Sequence, residues 1–221
     1  MRLILVGCEY AGKTTLANEI VTWIGRTFGS SRTFHDHFSL PCNEFSEEEQ
    51  EELAALSPRL KEMFQRYMMN YHFHDAFYGD PDHNLVGFHI EEAVYAPLYY
   101  GYGGKGDYAE RSSLARAMEE EILNKAPDTV MVLLRARSEI IAKRMRENPH
   151  ARQLIKEEDI DYVLQRFEEE YQTSLLRKKF ALDTSDVAVE QTLAEFVEQI
   201  ESRLSQADQL RLLAHHAWPQ G

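Results

Sequence analysis

Short apolar runs alternate along the chain with longer segments whose apolar residues recur every three or four positions. This alternation predicts an α/β fold, because parallel strands covered by helices on both faces appear in a sequence as continuous apolar runs. We expect a three-layer sandwich with a five-stranded parallel sheet between two layers of helices. The predicted strands are Leu3–Gly7, Arg32–His35, Asn84–Ile90, Thr129–Leu134 and Lys179–Asp183.

Several predicted helices have clear start signals or apolar faces. Ser46 and Glu49 form a capping box, and Ser57-Pro58 places a cap and a first-turn proline before the next helix. Three helical stripes keep i, i+3, i+4 spacing, which favours core packing over cofactor contact. These stripes are Leu60, Met63, Phe64, Tyr67, Met68 and Tyr71; Ile160, Val163, Leu164, Phe167 and Tyr171; and Leu193, Phe196, Val197 and Ile200.

The 221 residues are predicted to form a single domain, residues 1–221, because no repeat and no linker rich in Pro, Gly or Ser divides them. The glycine-dense stretch YYGYGGKGDYAE, between Tyr99 and Glu110, predicts a loop. Residues 207–221 are expected either to extend the last helix or to form a flexible tail.

The stretch GCEYAGKTT, which starts at Gly7, fits the phosphate-loop pattern G-x-x-x-x-G-K-[ST]. It follows an apolar strand and opens a helical pattern, as this loop requires. Glycines let the backbone N–H groups point at phosphate oxygens, and the helix N-terminus favours an anion. The motif predicts a nucleoside triphosphate site in which Lys13 reaches the β- and γ-phosphates and the Thr14 hydroxyl ligates magnesium.

The net charge of −13, from 24 Lys plus Arg and 37 Asp plus Glu, narrows the range of partners. Such a field argues against nucleic acid or a membrane surface as the main partner, although a local basic pocket can still bind a nucleotide. No apolar segment reaches the roughly 18 residues of a membrane span. Two cysteines, Cys8 and Cys42, are too few for a disulfide framework, so we expect a cytoplasmic protein.

Two other classes of phosphate-loop protein fit the sequence less well than a kinase. The N-K-x-D stretch with which small GTPases read the base is missing, since Asn124-Lys125 continues into Ala-Pro. The strand Thr129–Leu134 is followed by Arg135 and not by the aspartate of a Walker B strand.

In four places, and in the same order, the sequence resembles the thymidylate kinase family and its relatives among nucleoside and nucleoside monophosphate kinases. GCEYAGKTT is similar to that family's phosphate loop, and EEAVYAPLYYGYGGKG to the segment after its third strand. ENPHARQLIKEEDIDYVLQRFEEEY resembles the lid and the next helix, and FALDTSDVAVEQTLAEF the last strand, the adenine-side loop and the final helix. The resemblance implies a P-loop kinase fold and phosphoryl transfer from Mg-ATP to a small nucleotide or nucleoside acceptor. Related kinases are often homodimers.

The resemblance also implies a lid at about residues 144–156, a segment rich in basic side chains. A basic run is usually a solvated helix face, but in a lid at least one of these side chains would contact ATP phosphates. The basic residues in and beside it are Lys143, Arg144, Arg146 and Arg152. The residues expected to bind ATP are Gly7, Glu9, Ala11, Gly12, Lys13, Thr14, Thr15, Arg144 and Arg146.

The sequence departs from the family after the third strand, where Asp-Arg is usual and Glu91-Glu92 is found. Glu91 can replace the aspartate near the metal, whereas Glu92 has the opposite charge to the arginine that contacts an acceptor phosphate. Asp36 lies where related nucleoside kinases keep a carboxylate that accepts a proton from a sugar hydroxyl. The expected catalytic residues are Lys13, Asp36, Glu91 and Arg144, and the expected metal ligands are Thr14 and Glu91. A pocket rich in carboxylates, Glu9, Asp36, Glu91 and Glu92, would prefer hydroxyls or amines over anions.

For several side chains the sequence leaves more than one interpretation open. Arg66 supplies a cation on the acceptor side or lies on the surface, and His35 and His37 tune Asp36, bind a metal or only end a strand. The aromatic residues Tyr67, Tyr71, Phe73 and Tyr95 stack on a base or belong to the core.

Three functional hypotheses follow from these residues. The first is a kinase for a nucleoside or nucleotide. The second is a nucleotide-binding regulatory module that has lost acceptor chemistry, and the third is a kinase for another small hydroxylated or cationic acceptor.

Overall fold

A computed structural model describes residues 1–29, 34–36, 45–72, 82–150 and 153–217. Its strands form one parallel sheet in the order β2-β3-β1-β4-β5. The strands are β1 (Arg2–Gly7), β2 (His35–Asp36), β3 (His83–Val86), β4 (Val130–Arg135) and β5 (Lys178–Asp183). The predicted α/β class with a parallel sheet is confirmed, and the fifth strand, β2, is only two residues long.

Seven of the nine α-helices in the described part of the chain form two groups, one on each face of the sheet. The nine described helices are α1 (Lys13–Phe28), α2 (Glu47–Ala55), α3 (Pro58–Tyr71), α4 (Phe88–Tyr95), α5 (Arg111–Lys125), α6 (Ser138–Glu147), α7 (Ile160–Thr173), α8 (Val189–Glu201) and α9 (Gln206–Ala217). One group contains α1, α8 and α9, and the other contains α4 to α7. The connections β1–α1–β2 and β3–α4–α5–β4 run in opposite directions along the sheet, so right-handed crossovers place their helices on opposite faces. No helix in the described part of the chain is long and apolar enough to cross a membrane.

The centre of the sheet is strand β1, between β3 and β4. Its side chains from Leu3 to Val6 are at most 2% exposed. A strand buried on both faces explains the continuous apolar run at the start of the sequence. Because β1 is central, the phosphate-loop segment that follows it lies in the middle of the sheet's carboxyl edge, where α/β proteins bind ligands.

Strand β3 is shorter than the predicted strand Asn84–Ile90 and ends at Val86. Gly87 has φ 75°, and α4 begins directly after it. A Cβ atom on Gly87 would lie 2.3 Å from Glu91 Oε2, so only glycine leaves room for the Glu91 side chain to fold back over this turn. The apolar residues Phe88 and Ile90 therefore belong to a buried helix, which periodicity cannot distinguish from a strand over so short a run.

The predicted core stripe of α3 is largely wrong. Three of its members are between 49% and 62% exposed: Leu60, Met63 and Tyr67. The buried side of this helix carries Glu62, Gln65, Met68 and Met69. Glu62 faces inward because it pairs with the buried side chain of Arg111. By contrast, the stripes of α7 and α8 are confirmed, with Phe167 and Phe196 almost fully buried.

The segment expected to be a possible flexible tail forms helix α9 as far as residue 217. This helix packs against α1. The Arg211 guanidinium donates to both carboxylate oxygens of Asp82, at 2.7 and 2.9 Å, and so ties α9 to the residue before β3. The sequence shows a helical period here but cannot show the partner that holds the helix in place.

Candidate active site

The loop between β1 and α1 has the backbone geometry that its glycines predicted. A Cβ atom on Gly7 would lie 2.6 Å from the carbonyl oxygen of Leu134, so β1 can approach β4 only with glycine there. Gly12 has φ 89° and caps α1, a left-handed conformation that glycine adopts without strain. The loop therefore turns sharply and presents the N-terminus of α1 to the carboxyl edge of the sheet.

The ammonium group of Lys13 is held by three neighbours. It donates to the carbonyl oxygens of Gly7 and Cys8, at 2.7 and 3.0 Å, and lies 2.9 Å from Glu91 Oε1. Both the Lys13 and Glu91 side chains are 12% exposed. The fold thus brings together two predicted catalytic residues, one from the loop after β1 and one from the helix after β3.

A cavity of about 440 Å³ lies beside this lysine. Its size is within the roughly 300–1,000 Å³ of small-molecule sites. It is bounded by the phosphate loop, the segment after α6 and the start of α8. The lining residues are Glu9, Tyr10, Gly12, Lys13, Thr14, Thr15, Leu16, Arg144, Asn148, His150, Thr184, Val187, Val189 and Thr192.

Arg144 connects three elements at one wall of this cavity. Its Nη1 donates to the carbonyl oxygen of Tyr10 at 3.1 Å and to Oγ1 of Thr184 at 3.2 Å, and its Nη2 donates to the carbonyl oxygen of Thr184. The Thr184 hydroxyl lies 3.0 Å from the carbonyl oxygen of Ala11. Burial lowers the pKa of the guanidinium, which nevertheless stays charged at any physiological pH. The end of α6, the phosphate loop and the segment after β5 therefore meet at one cation.

The segment after α6 closes over the phosphate loop through Glu9 and Tyr10. The Glu9 carboxylate accepts hydrogen bonds from the backbone N–H groups of Leu154 and Ile155, both at 3.0 Å. Its other oxygen lies 3.0 Å from Nδ1 of His150. The rings of Tyr10 and His150 stack with 4.2 Å between their centroids. The predicted lid is thus docked on the loop residues that precede Gly12.

Six of the nine residues predicted to bind ATP line this cavity, and Gly7, Ala11 and Arg146 do not. Ala11 lies beneath the loop, fully buried, and Arg146 points away from the cavity to pair with Glu157 at 2.5 Å. Among the residues that sequence reasoning missed, Tyr10, His150 and Thr184 have the most direct contacts. The phosphate-loop pattern leaves its x positions unspecified, so it gave no signal for Tyr10.

Asp36 lies at the end of β2, in register with Val86. This position places its backbone at the same edge of the sheet as the phosphate loop. The side chain of Asp36 is outside the described part of the structure, as are residues His37, Phe73 and Arg152. Their predicted roles stay predictions.

Glu62, Glu92 and Arg111 form a buried cluster beside α4, and the partly exposed Arg66 lies at its edge. Arg111, 1% exposed, donates from Nε to Glu92 Oε2 at 3.0 Å and from Nη1 to Glu62 Oε1 at 3.2 Å. Arg66 pairs with the same Glu62 at 2.6 Å, and the Tyr102 hydroxyl donates to Glu92 at 3.2 Å. Burial raises the pKa of Glu92 to about 7, against the opposite influence of Arg111.

These pairings correct the expectation of a pocket rich in unpaired carboxylates. Glu9 binds the lid, Glu91 binds Lys13, and Glu92 is buried against Arg111. Arg66 likewise pairs with Glu62, and its guanidinium carbon lies 5.9 Å from the centre of the Tyr108 ring. The role of Arg111 could not be inferred from local sequence patterns, because its partners are 19 and 49 residues away.

Tyr95 belongs to the hydrophobic core, one of the two alternatives predicted for it, whereas Gln65 was not among the predicted residues. The Tyr95 hydroxyl accepts a hydrogen bond from the Glu9 backbone N–H at 2.8 Å, and its ring is buried, so it supports the phosphate loop from below. Gln65 is buried, and its side-chain oxygen has no hydrogen-bond partner among the described residues.

The predicted magnesium ligands, Thr14 and Glu91, fit an ion that is bound together with a nucleotide. The part of the chain that the structure describes has no cluster of three His, Cys, Asp or Glu side chains that could hold a metal alone. Mg²⁺ usually takes only one or two protein oxygens and completes its shell with phosphates and water. Thr14 and Lys13 line the cavity, and Glu91 contacts Lys13.

Comparison with solved structures identifies the fold as that of the P-loop nucleoside and nucleotide kinases. A deoxyadenosine kinase from M. mycoides with bound dATP is 16% identical and has a TM-score of 0.59, with coverage of 91% of this chain and 100% of that chain. A thymidylate kinase from Candida albicans is 14% identical, with a TM-score of 0.59 and coverage of 91% of both chains. The YorR protein of Bacillus subtilis, in complex with phosphorylated GDP, is 19% identical, with a TM-score of 0.57 and coverage of 92% and 99%. No protein-family model and no curated protein matches the sequence.

These likenesses extend over nearly the whole chain, and all lie below 20% identity. They confirm the thymidylate kinase-like fold that the four sequence segments predicted. The reaction and its acceptor have to be argued from the site itself.

Proposed function

We propose that the protein is a P-loop kinase that transfers the γ-phosphoryl group of Mg-ATP to a small acceptor, a nucleoside or a nucleotide. The observation that carries this proposal is the contact between Lys13 and Glu91, 2.9 Å apart beside the cavity of about 440 Å³. A cation from the phosphate loop and a carboxylate after β3 meet there at the carboxyl edge of the sheet. This is where a parallel α/β fold binds a nucleotide.

The residues around the cavity supply what phosphoryl transfer requires, which is positioning and neutralisation of charge. The turn between Gly7 and Lys13 offers backbone N–H groups and a helix N-terminus to phosphate oxygens. Lys13 and Arg144 supply positive charge at two sides of the cavity. Magnesium held by Thr14 and Glu91 would neutralise further charge on the bound phosphates. The docked lid excludes water that would otherwise hydrolyse ATP.

The acceptor is expected at the ends of β2 and β3, next to Glu91. Asp36 would accept the proton of an acceptor hydroxyl, and the carboxamide of Gln65 would bind a polar edge of the acceptor. Arg66 and Arg111 are already paired with Glu62 and Glu92. The segments 37–44 and 73–81, which flank β2 and β3 in the sequence, contain no Lys or Arg. Within the proposed class, these features favour a hydroxyl acceptor over a monophosphate.

The test is an assay of ADP formation with Mg-ATP and a panel of nucleosides, their 5′-monophosphates and other small alcohols or amines. We expect at least one nucleoside or nucleotide to raise turnover above the rate with ATP alone. Lys13→Ala should abolish that turnover, because the loop loses its counter-charge. Lys143→Ala is the matched control, since this lysine is exposed and pairs with Glu147 in the next turn.

The same assay separates the two alternatives. Binding of ATP in calorimetry without turnover for any acceptor would contradict the kinase proposal and favour the regulatory module. Turnover only with a non-nucleoside acceptor would favour the third hypothesis. A single domain, a cytoplasmic location and a possible homodimer stay predictions, which limited proteolysis, fractionation and sedimentation would test.

A further inference from the structure

We propose that Glu9 is a positioning residue that docks the lid on the phosphate loop and thereby keeps the donor cavity closed. This inference deepens the proposed function, on which its kinetic consequences rest. Its structural core is independent of any reaction. The sequence assigned this carboxylate to bound ligands, whereas in the fold it binds the chain's own backbone.

The first evidence is the way in which the Glu9 carboxylate is used. One oxygen, Oε2, accepts both the Leu154 and the Ile155 N–H groups, at 3.0 Å each. The other oxygen faces His150 Nδ1 at 3.0 Å. The carboxylate side chain is 18% exposed. Hydrogen bonds from backbone N–H groups to a largely buried carboxylate are charge-assisted, which makes them stronger than neutral ones.

The second evidence is the neighbouring residue, which contacts the same segment. Tyr10 stacks on His150, accepts its backbone N–H at 2.9 Å and donates to Gln153 Oε1 at 2.9 Å. Tyr10 has φ 66°, a left-handed conformation that is strained for a tyrosine. Two consecutive loop residues therefore present their side chains to the lid, and one of them does so from a strained backbone.

The third evidence is the position of these contacts relative to the cavity. Glu9, Tyr10 and His150 all line it. Because Glu9 belongs to the loop that would hold the triphosphate, docking of the lid and arrangement of the loop depend on the same few atoms. Removal of the carboxylate should loosen the lid without changing Lys13 or Thr14.

Amide hydrogen exchange measured by NMR on the ligand-free protein tests the docking directly. In Glu9→Ala, amide exchange at Leu154 and Ile155 should accelerate at least about tenfold, because the oxygen that accepts both N–H groups is lost. Glu9→Gln should stay within about threefold of the wild type, since its carboxamide oxygen can still accept both N–H groups. Amides in the middle of α7 serve as the reference for global stability.

Exchange at Leu154 and Ile155 that is unchanged in Glu9→Ala, with α7 also unchanged, would overturn the proposal. Acceleration in Glu9→Gln equal to that in Glu9→Ala would overturn it too, because an oxygen that can still accept both N–H groups would then have failed to hold the segment. These outcomes do not depend on whether the protein is a kinase.

Kinetics supply the second readout once an acceptor has been found. Glu9→Ala should raise KM for ATP and increase the ratio of ATP hydrolysis to acceptor phosphorylation at least about fivefold, because water enters an open site. Glu9→Gln should restore both values. A fall in kcat with an unchanged hydrolysis ratio would contradict a docking role. Failure to find any acceptor counts against the proposed function only, because the exchange experiment still decides the docking.

Discussion

Replacement of Arg111 by methionine would leave Glu92 buried without its principal cation. The guanidinium is 1% exposed, contacts Glu92 at 3.0 Å and Glu62 at 3.2 Å, and lies 4.8 Å from the centre of the Tyr102 ring. Removal of one partner of a buried ion pair typically costs about 3–5 kcal/mol, out of a total stability of roughly 5–15 kcal/mol. We expect Arg111→Met to lose this amount at pH 8 in urea denaturation followed by circular dichroism.

The partner substitution should behave differently. Glu92→Gln leaves Arg111 paired with Glu62 and relieves the cost of burying a carboxylate, the same cost that raises the pKa of Glu92 to about 7. We therefore expect no loss of stability in Glu92→Gln at pH 8, and recovery of most of the loss when it is combined with Arg111→Met. Arg146→Met, which removes an exposed pair, is the control and should unfold like the wild type. The reasoning would be refuted if Arg111→Met lost less than about 1 kcal/mol, or if the double variant showed additive losses.

Three further predictions concern pH, the buried thiol and the glycine before the phosphate loop. Burial raises the pKa of Glu92 from 4.5 to about 7. Its contribution to the free energy of unfolding should therefore fall as pH rises from about 4.5 to 7 and stay constant above pH 7. Denaturation curves should show this fall in the wild type and not in Glu92→Gln. Burial raises the pKa of Cys8 to about 12 and the side chain is fully buried, so the folded Cys42→Ser variant should give no thiol reaction with a disulfide reagent at pH 8, and rapid labelling there would contradict the burial. Gly7→Ala would place a methyl group 2.6 Å from the carbonyl oxygen of Leu134 and should cost about 2 kcal/mol or more, seen as a lower melting temperature; an unchanged melting temperature would show that the two strands can separate.

The sequence predicted the surroundings of the phosphate loop better than the surroundings of Glu92 and α3, for a physical reason. The phosphate-loop pattern is local, because its glycines, Lys13 and Thr14 all lie within residues 7–14 of the sequence. Its strand, its glycines and Lys13 were therefore found where the pattern placed them. The segment predicted as a lid contacts this loop through Glu9 and Tyr10, and its role as a lid stays a prediction.

Around Glu92 and α3, the contacts that determine which side chains are buried join residues that are distant in sequence. Glu92 was assigned to a carboxylate-rich pocket because its partner Arg111 lies 19 residues later, in another helix. The face of α3 was misassigned for the same reason, since Glu62 is buried by that arginine while Met63 is exposed. Hydrophobic periodicity assumes that charged residues face solvent, and a buried ion-pair cluster reverses the assumption.

The three contacts of the Lys13 ammonium have a consequence for selectivity. Each of the three N–H bonds of this ammonium group already points to an oxygen of the protein. A phosphate oxygen can therefore bind Lys13 only by replacing one of these contacts. A single inorganic phosphate offers too few simultaneous bonds to make the exchange favourable, whereas a polyphosphate chain engages the amides of the whole turn at once. We therefore expect the protein to bind inorganic phosphate much more weakly than a nucleoside triphosphate, because only the longer anion can replace these internal contacts.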